Sequence, residues 1–200
     1  MIRPLVCTAM LVFLSSCSHA TSPSPSSAAQ ASEPARDPVA SFQTVRAVLQ
    51  SPRCVNCHPA GDAPLQGDDS HVHLQNIQRG PDGQGPTGLS CAACHGKENA
   101  PASFGAHQPP GASSGWHLPP ANMRLVFAGL GPRALCEQLK DPRRNGNLSM
   151  HALLEHVETA PLVLWGWTPG FERKPVPVAH AEFVAAFKAW SDAGGPCPGD

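Results

Sequence analysis

Two five-residue segments, Cys54-Val55-Asn56-Cys57-His58 and Cys91-Ala92-Ala93-Cys94-His95, constrain this chain more than any other feature. Both read Cys-x-x-Cys-His, the attachment signature of c-type haem. The spacing has a mechanical basis. Two thiols three positions apart reach the two vinyl groups on one edge of a porphyrin, and the adjacent His then lies under the iron as its proximal ligand. At this Cys and His content about 0.016 such segments are expected by chance, and two on the order of 10⁻⁴. His58 and His95 are 37 positions apart, too close for two tandem single-haem domains of ~80 residues or more each, so both cofactors are expected to share one fold.

Composition sharpens this reading. The 200 residues hold 23 Pro and 18 Gly but only 14% charged and 6% aromatic side chains, which predicts that long loops outweigh regular structure, with the haems expected to supply much of the apolar core. A net charge of −1 offers no basic surface for a phosphate backbone and argues against nucleic acid. The eight Cys and ten His instead mark metal or haem chemistry. One competing reading closes Cys54, Cys57, Cys91 and Cys94 around a single zinc ion. Against it stand the His after each pair and the export signal described next. A thioredoxin-like redox pair is weaker still, because neither segment sits between an evident strand and helix.

Met1 to Cys17 has the form of an export signal, with Arg3 as the positive region and an apolar run from Leu5 to Leu14, too short to span a bilayer. Its end, Leu14-Ser15-Ser16-Cys17, resembles the bacterial lipobox, which implies a lipidated Cys17; the plainer alternative is an ordinary secretory signal with an incidental Cys. Ser18 in place of Asp then favours the outer membrane of a Gram-negative cell, with the protein facing the periplasm. Residues 1–16 are thus expected to be a signal peptide. Residues 17–39 are read as a lipidated Cys and a Ser/Pro/Ala tether unable to offset its ordering entropy, and 40–200 as the folded domain.

The segments Cys54 to His58 and Cys91 to His95 resemble those of dihaem c-type cytochromes. That resemblance implies two haem c groups, thioether bonds at Cys54, Cys57, Cys91 and Cys94, and proximal ligation by His58 and His95. A broader resemblance covers Phe42 to Pro198. It rests on Arg53 to Asp62, on Trp116-His117-Leu118-Pro119-Pro120 with Met123, on Gln138-Leu139-Lys140-Asp141-Pro142, and on Trp165-Gly166-Trp167. These are similar to bacterial cytochromes labelled isoquinoline 1-oxidoreductase subunits, which implies a periplasmic molybdenum hydroxylase as electron donor. The hydroxylase activity would be the partner's.

Each iron also has a distal face, open to Met or His. After signal removal Met123 and Met150 remain, together with His71, His73, His107, His117, His151, His156 and His180. If residues 67–73 are extended, His71 and His73 point to opposite sides and only one can face the first haem. Met123 follows a Pro-rich loop, as the distal Met of single-haem cytochromes commonly does, with His117 as its rival. His156 falls on a predicted helix and reads first as a surface His. Trp165 and Trp167 read as packing over a loop cluster, with hydrogen bonds to haem propionates as the alternative.

The expected fold is mainly α and cytochrome c-like, short helices and long loops wrapped around two covalent haems. Ala40 to Gln50 carries Phe42, Val45, Val48 and Leu49 on one stripe, with Ser41 as candidate N-cap. Ala181 to Ala193 carries Phe183, Val184, Phe187 and Trp190, stopped by Gly194-Gly195-Pro196. Pro132 to Lys140 and Leu148 to Thr159 read as helices, and 59–90 and 98–121 as loops. Cys7 leaves with the signal, so Cys136 and Cys197 are the spare thiols, expected to pair in an exported protein; a free buried Cys136 is the alternative.

The function expected is electron transfer without a substrate. The alternatives are a small dihaem enzyme of peroxidase or sulfur-compound oxidase type, which needs one open iron, and a non-haem structural or zinc-binding lipoprotein.

Overall fold

Asp37 opens the first helix by accepting a hydrogen bond from the Val39 amide through its side chain (3.0 Å), with Pro38 at the first helical position. In the computed structural model, which describes residues 36–105, 108–170 and 172–199, this helix is α1 (Pro38–Leu49). The expected signal peptide (1–16), the lipidated Cys17, the tether as far as residue 35 and His107 lie outside the described residues. Ser41 is not the cap: the helix starts earlier, and Ser41 is buried within it.

The fold is mainly helical. After α1 come a single turn, α2 (Pro52–Val55), and a two-stranded antiparallel hairpin, β1 (Leu65–Gln66) with β2 (His71–Val72), in the register Leu65 to Val72 and Gln66 to His71. Loops and short 3₁₀ turns then lead to α3 (Pro132–Lys140), α4 (Met150–Thr159), α5 (Pro161–Leu164) and α6 (His180–Asp192). The hairpin interrupts a region read from sequence as loop. Its strands are two residues each, too short to carry an alternation signal.

α1 and α6 pack closely and form the heart of the core. Phe42, Val45, Val48 and Leu49 on α1 meet Phe183, Ala186, Phe187 and Trp190 on α6, each set recurring at helical spacing. Phe42 and Trp190 pack at a tilt with ring centres 5.1 Å apart, both without exposed surface. Burying each large side chain of this kind contributes about 1.5–3 kcal/mol. Where the notable apolar stripe included Val184 in sequence, the buried position is Ala186, and Val184 is half-buried.

Helix α6 ends where Gly194 and Gly195 take left-handed φ angles of 81° and 64°, with the Gly195 amide returning to the Trp190 carbonyl at 2.9 Å. The turn brings Cys197 onto α3, where it forms a disulfide with the fully buried Cys136.

Candidate functional site

α1 runs through Gln50 and Ser51 straight into the first Cys-x-x-Cys-His segment. Pro52 starts α2, and the turn continues as the Cys57 amide bonds the Cys54 carbonyl (3.2 Å) and the His58 amide the same carbonyl (3.1 Å). One helical turn sets residues three apart on the same face, which is the placement of Cys54 and Cys57. The second segment repeats the device with a 3₁₀ turn, Cys91–Ala93, and amides of Cys94 and His95 bonded to the Cys91 carbonyl at 3.2 and 2.9 Å. All four thiols are free of disulfides. Burial pushes Cys54 up to about 11, Cys57 up to about 12, and Cys91 in the same direction.

Each histidine is held by a downstream loop in the same way. His58 Nδ1 lies 2.7 Å from the Leu125 carbonyl, and His95 Nδ1 lies 2.8 Å from the Pro110 carbonyl. A carbonyl only accepts, so Nδ1 carries the proton in both rings and Nε2 keeps its lone pair. Metal-ligating histidines are commonly oriented by such a second hydrogen bond. Burial lowers the affinity of both rings for a further proton, His58 to about 4, which keeps the imidazoles neutral and able to ligate.

The loops that supply these carbonyls are themselves fixed. The His58 carbonyl accepts from the amides of Phe127 (2.9 Å) and Ala128 (3.2 Å), and the His58 ring stacks on Phe127 with centres 4.0 Å apart. Leu125 adopts φ 38°, an uncommon backbone for a bulky residue, in the segment that aims its carbonyl at His58. On the other side, Asn99 Oδ1 accepts from the Gly111 amide (3.2 Å) and from Trp165 Nε1 (3.0 Å). Gly111 lies so close to the Glu98 carbonyl that a Cβ there would sit 2.1 Å from it. His95 also stacks flat on Trp116, 4.8 Å between centres and 3° between planes, and Trp116 meets Trp165 edge-on at 4.8 Å.

A cavity of about 650 Å³ opens between the two segments, within the ~300–1,000 Å³ usual for ligand and cofactor sites. Cys91, Cys94 and His95 of the second segment line it, Cys57 reaches it from the first, and apolar Ile77, Leu118, Trp116 and Trp165 form much of its wall. Arg53 and Arg173 bring positive charge to its rim, and Arg53 Nε is buried without a partner. Thiols, a neutral imidazole, apolar walls and unpaired guanidinium nitrogen match a porphyrin that carries carboxylates. Among the described residues no three His, Cys, Asp or Glu side chains converge to hold a metal ion; a four-thiolate zinc site would be such a group.

Two buried arginines determine which loops reach the cavity. Arg53 donates to the Gly67 carbonyl (2.9 Å) and to Asp68 (2.6 Å), and lies over Trp165 at 5.7 Å. With Asn56 Nδ2 on the same Gly67 carbonyl (2.9 Å), it ties the hairpin turn back to the first segment. Arg79 donates to the carbonyls of Pro119 (2.6 Å) and Gly61 (3.0 Å), tying the Pro-rich loop to the stretch after His58. Nothing in the sequence singled out Arg79. Arg53 precedes Cys54 directly, and that adjacency was the available signal.

The other candidate ligands separate. His71 and His73 both line the cavity, which residues of both segments share, and Arg53 and Asn56 hold the turn that precedes them. His71 is committed to Asp69 Oδ1 (2.6 Å) and to Gln66 (3.0 Å). His73 has its ring centre 6.4 Å from that of His95. Met123 is half-buried and His117 exposed, and neither lines the cavity. His117 and His156 lie near enough to His58 to disfavour its protonation. Met150 packs against the helical core, His151 is exposed on α4, and His180 bonds the Val157 carbonyl at 3.0 Å. Trp165 and Trp167 spend their indole N–H groups on Asn99 and on the Val178 carbonyl (2.7 Å), which is packing within the protein. No protein family, curated protein or solved structure matches the chain.

Proposed function

We propose that this chain is a dihaem c-type cytochrome of cytochrome c-like fold that relays single electrons and has no substrate of its own. The observation that carries the reading is the paired treatment of His58 and His95. In two separate Cys-x-x-Cys-His turns a backbone carbonyl takes the Nδ1 proton, at 2.7 and 2.8 Å, and leaves Nε2 free beside unpaired thiols. The same hydrogen-bond geometry, built twice from different loops, suits two proximal ligands.

Cys54 and Cys57 would bond one porphyrin and Cys91 and Cys94 the other, with His58 and His95 as proximal ligands. Haem iron supplies a one-electron couple at fixed ligation. The chain's contribution is to orient both imidazoles, keep them neutral by burial, and set the two attachment turns close together, with Cys57 on the wall of the cavity that holds Cys91. Arg53 and Arg173 suit the carboxylates of the porphyrin edge. The close packing of α1 on α6 supports the cytochrome c-like reading of the helical scaffold.

The lipobox-like Leu14 to Cys17 supports attachment to the outer membrane by lipid, facing the periplasm. No described helix is long and apolar enough to cross a membrane. The resemblance to isoquinoline 1-oxidoreductase subunits supports a periplasmic molybdenum hydroxylase as the redox partner.

The test is to mature the protein with a bacterial haem-attachment system, weigh the intact chain, and record optical and low-temperature EPR spectra oxidised, reduced and under carbon monoxide. Two attached haems, both low-spin and indifferent to carbon monoxide, are expected. A chain without haem overturns the proposal, and an iron that binds carbon monoxide in the parent protein favours a dihaem enzyme with an open site.

A further inference from the structure

The hairpin between the two attachment turns ends on a histidine that the protein does not otherwise use. We propose that His73 is the distal ligand of the iron held by His95, so that the second site is a bis-histidine centre; the inference rests on the dihaem reading above.

The spacing of two rings is the first observation. The ring centres of His73 and His95 stand 6.4 Å apart with planes inclined at 57°. A nitrogen–metal bond of about 2.0 Å plus about 1.1 Å from ring nitrogen to ring centre, counted on both sides, gives about 6.2 Å. The stacked rings of His95 and Trp116 stand closer, at 4.8 Å. The separation of the two rings agrees with that spacing.

The ring of His73 is also free to ligate. Its Nδ1 is buried without a hydrogen-bond partner, which is unfavourable unless something in the cavity compensates. His71 makes the contrast, since both of its nitrogens face Asp69 and Gln66. The position of His73 is imposed by the backbone: its amide donates to the Pro64 carbonyl at 3.0 Å, and the turn before it is held by Arg53 through Gly67 and Asp68. The first attachment turn therefore places a ligand for the second.

The experiment compares matured parent protein with His73→Ala, His73→Met, His71→Ala and the exposed control His151→Ala. Intact mass counts the haems, and titration of the reduced protein counts carbon monoxide bound. His73→Ala is expected to keep both haems, gain one carbon monoxide per chain, and return to low-spin on addition of free imidazole. His73→Met keeps the position filled by a thioether and is expected to show the near-infrared band of His/Met ligation even where the Ala variant folds poorly. Unchanged carbon monoxide binding and spectra in both His73 variants with two haems attached, or the gain appearing in His71→Ala instead, overturns the assignment. Absence of haem from the parent overturns the dihaem reading, which is a separate result.

Discussion

Replacing Arg53 by Met removes the tie between the first Cys-x-x-Cys-His turn and the hairpin while keeping an apolar side chain against Trp165. Arg53 is almost fully buried, its side chain 4% exposed, whereas Asp68 is 32% exposed and also lies 3.4 Å from the Lys174 amide. Breaking a fully buried ion pair costs about 3–5 kcal/mol. Here the Gly67 carbonyl keeps Asn56 as donor, and water can reach Asp68, so the loss is closer to one charge-assisted hydrogen bond, about 2 kcal/mol. In a domain of this size that lowers the melting temperature by about 4–8 °C. Urea unfolding should show a lower midpoint at unchanged slope, and a double-mutant cycle with Asp68→Asn should return a coupling of about 1 kcal/mol. Hydrogen exchange adds a local readout: the His73 amide, bonded to Pro64, should lose protection ahead of the α1 amides. A coupling below about 0.3 kcal/mol, or unaltered His73 exchange, would refute the reasoning.

The disulfide between Cys136 and Cys197 closes a separation of 61 residues, for which loop-closure entropy gives about 4 kcal/mol. The Cys136→Ala, Cys197→Ala double variant should lose stability on that order, and reductant should bring the parent to a similar midpoint; a parent insensitive to reductant contradicts this. Gly83 has φ 83°, and a Cβ there would lie 1.9 Å from the Leu118 carbonyl. Gly83→Ala should destabilise by more than about 1 kcal/mol, measured by the same unfolding assay, and Gly61→Ala, where open space surrounds the position, should be near neutral.

The helices were legible because their determinants are local. α3 coincides with the stretch read from Pro132 to Lys140, since Pro132 can only begin a helix and Asp141-Pro142 ends it. The stripes on α1 and α6 identify their buried faces without further information. The cap at Asp37 rather than Ser41 shows the usual shift at a helix start. Distal-ligand candidates were poorly legible, because chain order placed His117 and Met123 after the second segment while Arg79 draws their Pro-rich loop to Gly61, beside the first. The proximity of His73 to His95 depends on a guanidinium fifteen residues from Asp68 in sequence, and no periodicity encodes such a contact. The carbonyls of Leu125 and Pro110 were likewise invisible, since any residue type supplies one.

The packing of α1 against α6 has a bearing on the order of assembly. α1 leads directly into the first Cys-x-x-Cys-His turn, yet the α6 side chains that bury it follow far later in the chain. A polypeptide that emerges N-terminus first presents Cys54, Cys57, Cys91 and Cys94 to its surroundings well before Phe183, Phe187 and Trp190 exist to close the core over α1. On the proposed dihaem reading, attachment at the four thiols would have that interval in which to run on an open chain, and the arrival of α6, fastened by Cys197, would end it.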